Sequence, residues 1–188
     1  MEQTSNNIFF KEQFLLENER TKFYDKSIQY PTTLLIIFVG AAIYSFNKYF
    51  RNGVINIYSE EDYAFVILFI LFFISMIGTI AYLSKVFHDF GRTYAYLPNA
   101  EILFTYEKSL YKHYYKYSEE SDYIEKRRDA KKKACTEFEN ILTQYYINNT
   151  SFNQKINDKR AEYYSITRTL LFINLAFLIL IGTLGLLN

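Results

Sequence analysis

The sequence predicts an all-α membrane protein with three transmembrane helices, an N-terminal amphipathic helix and a long cytoplasmic helical hairpin. Of its 188 residues, 50% are apolar and 22% are charged, and the apolar residues are gathered in long runs without charge. A bilayer core is roughly 30 Å thick, so a spanning helix needs about 20 mostly apolar residues. Between Pro98 and Gly182 there is no further glycine or proline, so nothing local forbids very long helices.

The same composition excludes several classes of protein. The length allows one domain, or one membrane bundle with a modest soluble part, and leaves no room for a two-domain enzyme. A single cysteine, Cys135, excludes a disulfide scaffold. The uneven distribution of apolar residues excludes both a plain soluble globule and a disordered chain.

The first segment, residues 1–27, places aromatic and aliphatic side chains among Lys, Glu and Asn. These are Phe9, Phe10, Leu16, Phe23 and Tyr24. The spacing predicts an amphipathic helix that leads into the first span and either lies on the membrane surface or packs on the later helices, and packing is the simpler interpretation. Because the segment is charged throughout, it does not fit a cleaved signal peptide, and the first span is expected to stay.

Residues 28–84 are predicted to form a two-span hairpin, with spans at 28–46 and 63–84, and residues 170–188 to form a third transmembrane helix. None of these spans contains an acidic or basic residue. Pro31 lies near the start of the first, where its missing backbone donor is tolerated.

Basic residues near the span ends predict the orientation, because cytoplasmic loops carry an excess of Lys and Arg. One side has Lys22, Lys26, Lys85, Arg92, Arg160 and Arg168. The loop at 47–62 has only Lys48 and Arg51, together with three acidic residues. The N-terminus is therefore expected inside and the short loop outside, with 85–169 inside.

Residues 85–169 are predicted to form the cytoplasmic helical hairpin. Asn99 can cap its first helix, and apolar residues recur every seven positions along that helix, as in helices that pack along a seam. The helix is expected to stop at 148–150, and Ser151 and Gln154 have the capping-box spacing that would start a return helix into the third span.

A basic run is the only concentrated charge in this hairpin, and it contains Arg127, Arg128, Lys131, Lys132 and Lys133. It reads most simply as a solvated helix face, since acidic residues stand three or four positions away. Alternatively, Arg128 and Lys131 interrupt the apolar seam, and copies assembled around an axis would form a basic cavity for the phosphates of a nucleotide or oligonucleotide. Tyr117 and Tyr123 would then be available to stack on bases.

Polar residues inside the spans are few. Ser75, Thr79 and Asn174 either take part in ordinary helix packing or line a pore. The absence of charge within the spans argues against a proton-coupled transporter, but not against a channel gated by a hydrophobic constriction.

Enzyme signatures are missing from the sequence. His88 and His113 have no partner at metal-ligand or triad spacing, and Cys135 is expected to be buried and inert on a packing face. A thiol activated by the nearby lysines is the alternative. The sequence therefore predicts no catalytic residues, no metal site and no cofactor.

The arrangement resembles the SLATT membrane domains. The similarity covers roughly residues 15–115: a charged helix (ENERTKFY, 17–24), a span that begins at 28–31, a short outer loop, a second span, then Arg92 and a helix from Asn99. The third span is additional to the basic two-span unit. The resemblance implies a pore-forming effector in the inner (cell) membrane of a bacterium, encoded beside a nucleotide-synthesising enzyme in anti-phage defence. Opening would depolarise the membrane and arrest or kill an infected cell.

Two functions remain open from the sequence. The first is a homo-oligomeric channel, such as a tetramer, gated by an anionic nucleotide or oligonucleotide bound to the basic run. The second is a non-conducting membrane anchor or scaffold whose hairpin recruits a soluble protein through its exposed seam.

Overall fold

A computed structural model describes residues 2–50, 60–87 and 93–187, with side chains described for 7–50, 60–87 and 93–184. Every secondary-structure element in these ranges is a helix, which confirms the all-α class. The five helices are α1 (Glu2–Ser27), α2 (Gln29–Tyr49), α3 (Glu60–Phe87), α4 (Ala100–Tyr117) and α5 (Tyr123–Leu187). Arg51, His88 and Arg92 lie outside the described residues.

Three stretches of helix are long and apolar enough to cross a membrane. They are Asn7–Tyr49, Glu60–Phe87 and Tyr123–Leu184; the first two contain the predicted spans 28–46 and 63–84, and the last contains residues 170–184 of the third. Length and composition therefore agree with the predicted number of spans. The orientation and the cytoplasmic location of the remaining segments stay predictions.

Contacts between residues divide the chain into two compact units. The hairpin unit consists of Met1–Arg20 and Thr93–Asn157, and the span unit consists of Thr21–Arg92 and Asp158–Asn188. Helices α1 and α5 each contribute residues to both units. The predicted boundaries at 27/28, 84/85 and 169/170 separate membrane-spanning segments from aqueous ones. The division by contacts is of a different kind and does not test them.

The core of the span unit is formed by one face from each of three helices. Its buried residues are Leu35, Phe38 and Ala42 of α2, Phe65, Phe72, Met76 and Leu83 of α3, Leu171 and Ile181 of α5, together with Phe50. Steps of three, four or seven residues separate most of them, as expected for one face of a helix. At one end of this core, the Tyr49 and Phe65 rings stack with their centroids 3.8 Å apart.

The opposite faces of the same three helices are apolar as well. Exposed side chains include Ile36, Ile37 and Ile43 of α2, Ile70, Ile74 and Ile77 of α3, and Phe172, Ile179 and Leu180 of α5. A soluble monomer rarely leaves so many large apolar side chains exposed together. The polar residues Thr79 and Asn174 are buried within the apolar core, and the outer faces are apolar as well, which suits a lipid solvent.

Helix α1 runs into α2 with only Ile28 between them, so the predicted helix leading into the first span is confirmed. The interruption has a local cause. Pro31 has no backbone N–H and cannot bond to the carbonyl of Ser27, where α1 ends. The Thr32 backbone N–H and hydroxyl both donate to the Ile28 carbonyl, at 3.2 and 2.9 Å, and restart the helix.

The face of α1 that packs differs in part from the predicted one. Phe14 and Tyr24 are buried, whereas Leu16 and Phe23 are 52% and 59% exposed. In the hairpin unit, the Phe14 ring lies 5.7 Å from that of Tyr146 of α5. Helix α1 therefore packs on a later helix, which is the simpler of the two interpretations of this segment.

The predicted hairpin turn at 148–150 is wrong. Helix α5 continues through these residues, and the turn lies between α4 and α5, at residues 118–122. Ser118 is extended, with ψ of 132°, and the Asp122 carboxylate accepts hydrogen bonds from the backbone N–H groups of Ile124 and Glu125, at 2.6 and 3.2 Å. Asp122 thus caps α5, in the role the sequence analysis gave to Ser151. The Asn99 cap is confirmed by the bond from the Ile102 N–H, at 2.9 Å.

The helix is not broken at Asn149 because its polar side chain points into the protein. Asn149 is 9% exposed, and Asn153 and Asn157, one and two turns further along the same face, are fully buried. With no glycine or proline nearby, these side chains do not turn the chain, and Asn153 and Asn157 form hydrogen bonds inside the hairpin unit.

A candidate anion-binding cleft and buried polar contacts

The first turns of α5 and the facing side of α4 enclose an open cleft of about 450 Å³. From α5 it is lined by Arg127, Lys131, Ala134 and Cys135; they share a face because Lys131 is four positions from Arg127 and three or four from Ala134 and Cys135. From α4 it is lined by Phe104, Glu107, Lys108 and Tyr111. Two of the five predicted ligand residues, Arg127 and Lys131, are therefore brought together.

The charge of this cleft is positive. It contains three cations, Lys108, Arg127 and Lys131, against one carboxylate, Glu107. Phe104 is 65% exposed at the wall of the cleft, and Tyr111 adds a second ring. An arginine fork, two ammonium groups and two aromatic rings are groups that bind phosphates and stack on bases.

The other three residues of the predicted site lie outside this cleft. Arg128, Lys132 and Lys133 are exposed and do not line it. Lys133 forms an ion pair with Asp129, with Nζ and Oδ2 2.8 Å apart. The hydrogen bond and the charge of Asp129 raise the pKa of Lys133. This pair has the four-residue spacing that the interpretation as a solvated helix face expects.

The aromatic residues at the cleft are not the predicted ones. Tyr117 and Tyr123 flank the turn and are each 65% exposed. The Tyr123 ring lies 6.5 Å from that of Tyr115, and the Lys126 ammonium lies 5.3 Å from the Tyr115 ring centre. Sequence reasoning missed Tyr111 and Lys108, because a turn at 148–150 keeps α4 from facing the basic run. Placing the turn at the Asp122 cap would have found them.

A second contact holds α4 against α5 in the hairpin unit. The Tyr114 hydroxyl donates a short hydrogen bond to Oε2 of Glu137. This bond, with smaller contributions from desolvation and the negative charge of Glu137, raises the pKa of Tyr114. Tyr114 therefore remains a neutral donor at physiological pH.

Cys135 is exposed, so its predicted burial is wrong. Ala134, beside it, occupies the packing position instead and is 3% exposed. Partial desolvation raises the pKa of the Cys135 thiol, and Glu139 raises it further, with Sγ and Oε1 3.8 Å apart. Lys131 opposes this rise without reversing it, so the thiol is not activated.

The three polar residues predicted as pore-lining candidates meet inside the span unit. Nδ2 of Asn174 donates to Oγ1 of Thr79 at 2.9 Å, and this hydroxyl donates to the carbonyl of Ser75 at 2.8 Å. Thr79 and Asn174 are fully buried. The Ser75 hydroxyl and Oδ1 of Asn174 are buried without a hydrogen-bond partner among the described residues. The cluster can therefore form further hydrogen bonds, for example with water.

The hairpin unit contains a buried asparagine ladder that sequence reasoning missed. The Asn153 amide bonds the backbone of Ala95 in both directions, donating to its carbonyl at 3.0 Å and accepting from its N–H at 2.9 Å. Nδ2 of Asn157 donates to the carbonyl and to Oε2 of Glu17, both at 2.9 Å, while its Oδ1 accepts from the Tyr94 hydroxyl at 3.2 Å. Asparagines at 149, 153 and 157 are the signal, because a four-residue spacing places them on one helix face.

In the span unit, Arg160 caps the end of α3. It is 3% exposed; Nε donates to the carbonyl of Val86 at 2.9 Å and Nη2 to Oδ1 of Asp25 at 2.7 Å. Its guanidinium carbon lies 5.2 Å from the Tyr24 ring centre. Val86 is in the last turn of α3, whose carbonyls lack partners within the helix, and a cation there also suits the helix dipole.

Within the described ranges, no group of three or more His, Cys, Asp and Glu side chains is placed to hold a metal ion. The His113 ring packs at 4.9 Å on that of Tyr117, which is a structural contact. No protein-family model matches the chain, and no curated protein or solved structure matches it either.

Proposed function

We propose that this protein is an oligomeric membrane pore or ion channel gated by an anionic nucleotide or oligonucleotide that binds the cleft between α4 and α5. The observation that carries the proposal is the cleft itself, where Lys108, Arg127 and Lys131 surround one carboxylate beside two aromatic rings. The same helix, α5, supplies two of these cations and the third apolar segment.

Membrane insertion is supported by the distribution of polarity in the span unit. Large apolar side chains point outward on α2, α3 and α5, while Thr79 and Asn174 are fully buried. Removing apolar surface from water is favourable by about 25 cal/mol per Å², so those outer faces are more stable in lipid. The acidic first turn of α3, with Glu60, Glu61 and Asp62, and Lys85 in its last turn would stand at the two interfaces.

Ligand recognition by the cleft follows from its chemistry. Arg127 can bind a phosphate with two parallel hydrogen bonds, and Lys108 and Lys131 act as point charges. Stacking on an aromatic ring such as Phe104 is worth about 1–3 kcal/mol per base and tolerates every base. The combination favours a nucleotide over a simple inorganic anion.

Gating requires that the ligand bind the open arrangement more tightly than the closed one. Moving the population from 1:99 to 99:1 needs about 5.5 kcal/mol of differential affinity. Two charge-assisted contacts made only in the open arrangement supply roughly 3–6 kcal/mol. Several clefts in one oligomer therefore suffice, and a homo-oligomer such as a tetramer would provide them.

The pore would be lined by the polar residues buried in the closed span unit. Ser75 and Asn174 each have a buried polar atom without a partner in the described residues, and Thr79 joins their helices. Exposing this cluster to water satisfies the two unused polar atoms, which lowers the cost of opening.

The cellular role proposed for such a channel comes from the resemblance to SLATT domains. It would act in the inner membrane of a bacterium as an effector of anti-phage defence, with its N-terminus in the cytoplasm. A neighbouring enzyme would make the nucleotide signal, and ion flow would depolarise the membrane and cause abortive infection.

The cleft gives a charge-matched test of this proposal. The variant Arg127→Gln/Lys131→Gln removes two cations that line the cleft, and Arg128→Gln/Lys132→Gln removes two neighbours that do not. Binding of a fluorescent oligonucleotide to purified protein is expected to weaken at least about tenfold in the first variant, because direct contacts are lost. The second variant loses only long-range attraction, which salt screens, so its affinity should fall much less. Equal affinities in both variants would contradict the proposed site.

A membrane anchor or scaffold is the second candidate, favoured by apolar side chains left exposed on the hairpin unit. These include Ile102, Phe104, Tyr117 and Ile124, which are 58–75% exposed. They could receive a helix of a soluble partner. A stable complex that is lost in Ile102→Glu/Ile124→Glu, from a protein that passes no ions with any ligand, would favour this function.

A further inference from the structure

An apolar groove of about 290 Å³ follows α2 and α5 in the span unit. Its floor is made of buried side chains, Pro31, Phe38 and Leu171. The residues at its rim, Leu34, Phe172 and Leu175, are 40–68% exposed. The groove is therefore accessible from outside and is lined almost wholly by hydrocarbon.

The polar groups of this groove are at one end. Tyr30 and Arg168 line it there together with Tyr164, and Arg168 is exposed and takes part in no ion pair within the described residues. Helices α2 and α5 run the same way, because α3 runs opposite to both. Phe46 and Tyr49 of α2 contact Phe69 and Phe65 of α3 in reverse order. Arg160 and Asn174 of α5 likewise bond Val86 and Thr79 of α3 in reverse order. Tyr30 and Arg168 therefore mark the beginning of both apolar stretches.

The dimensions match one leaflet of a membrane. From Tyr30 to Phe38 is eight residues of α2 and from Tyr164 to Leu175 is eleven residues of α5, about 12 and 16 Å at the rise of an α-helix. Half of a bilayer core is about 15 Å. One acyl chain lying in the groove would reach from the interface to about the middle of the bilayer, with its phosphate beside Arg168.

We propose that this groove is a binding site for an anionic phospholipid, with one acyl chain against Pro31, Phe38 and Leu171 and the phosphate held by Arg168. The hydroxyls of Tyr30 and Tyr164, which also line the groove, would donate to the headgroup. Charge complementarity selects an anionic lipid over a zwitterionic one, because the guanidinium has no carboxylate of its own in the described residues. The inference rests on the proposed membrane insertion and is independent of the proposed gating.

The test is lipid binding to delipidated full-length protein in detergent, followed by native mass spectrometry with phosphatidylglycerol and phosphatidylcholine. Arg168→Gln is expected to weaken phosphatidylglycerol binding about tenfold, the effect of one charge-assisted hydrogen bond. Phosphatidylcholine binding should weaken less, because the choline of that headgroup already offsets the charge of its phosphate. Leu175→Trp, which fills the open end, is expected to weaken both lipids. The matched control Lys26→Gln removes one exposed cation of the span unit that does not line the groove.

Three outcomes would overturn the proposal. They are equal weakening by Arg168→Gln and Lys26→Gln, equal binding of the two lipids by the unaltered protein, and displacement of bound lipid by soluble glycerol phosphate alone. Co-flotation of the protein with liposomes is scored separately. Protein that floats but shows one of these outcomes refutes the lipid site alone, whereas protein that does not float refutes membrane insertion.

Discussion

Asn174 of α5 donates a hydrogen bond from Nδ2 to Oγ1 of Thr79 of α3 across 2.9 Å, between two fully buried side chains. Away from water, neither side chain has solvent as an alternative partner. The bond joins two of the helices that are apolar enough to span a membrane, and it is one link of a chain that ends at the carbonyl of Ser75.

The coupling between Asn174 and Thr79 is measurable by a double-mutant cycle. Combining Asn174→Leu with Thr79→Val is expected to reveal a coupling free energy of about 0.6–1.7 kcal/mol. These are the average and the largest values found for hydrogen bonds between membrane helices. Unfolding in mixed micelles gives the free energies. Thr183→Val is the matched control, because Thr183 bonds only its own helix, at the Leu180 carbonyl. A coupling as large for Thr183 with Asn174 would contradict a specific contact.

The buried asparagine ladder is expected to stabilise the hairpin unit. Asn157→Leu removes hydrogen bonds to Glu17 and Tyr94 and leaves the buried Glu17 carbonyl without this donor, at a cost of about 2–4 kcal/mol. Chemical denaturation followed by tyrosine fluorescence measures the change. Asn148→Leu, one position from the ladder and exposed, should cost less than about 0.5 kcal/mol. Similar costs for the two variants would show that the ladder contributes nothing.

The buried guanidinium of Arg160 gives an asymmetric prediction. Asp25→Ala removes the carboxylate that faces a side chain only 4% exposed, whereas Arg160→Met leaves behind a carboxylate that is 62% exposed. Asp25→Ala is therefore expected to destabilise by about 2 kcal/mol, and adding Arg160→Met should recover part of the loss. Thermal unfolding of the single and double variants is the measurement. If the double variant loses as much stability as the two single variants together, the buried ion pair is contradicted. Glu19→Ala, which removes an exposed carboxylate, is the control.

The thiol of Cys135 reports on the cleft that it lines. Because desolvation and Glu139 raise its pKa, less thiolate is present at neutral pH, and alkylation should be slower than that of a free thiol and should rise with pH. Glu139→Gln is expected to speed alkylation at neutral pH. Iodoacetamide kinetics followed by mass spectrometry test both statements, and a rate above that of free cysteine would contradict them.

Occupation of the cleft should protect the same thiol. Cys135, Arg127 and Lys131 line one cleft, so a bound oligonucleotide is expected to slow alkylation in the unaltered protein and in Arg128→Gln/Lys132→Gln. Protection should disappear in Arg127→Gln/Lys131→Gln. Protection that persists there would place the ligand elsewhere.

The spans could be predicted from the sequence because length and uninterrupted apolar composition determine them almost alone. The Asn99 cap could also be predicted, since it depends on residues three positions apart. The turn could not. Residues 118–122 and 148–150 both offer Ser, Asn or Asp without glycine or proline, so local chemistry does not choose between them.

Contacts far along the chain decide between those two positions. Asn153 bonds the backbone of Ala95, 58 residues away, so an asparagine that local chemistry would allow beside a turn is used inside a continuous helix instead. Only part of the candidate site could be predicted, because it too depends on which residues form the turn. Arg127 and Lys131 belong to a visible basic run, but Lys108 and Tyr111 join them only through the turn at 118–122.

Ion flux through purified protein in liposomes tests the central claim most directly. A panel of cyclic and linear oligonucleotides is added to the side that carries the hairpin unit, and flux is expected with one ligand class only. That flux should be lost in Arg127→Gln/Lys131→Gln and kept in Arg128→Gln/Lys132→Gln. Silence across the panel from folded, oligomeric protein, or equal flux in both variants, would contradict a channel gated through this cleft.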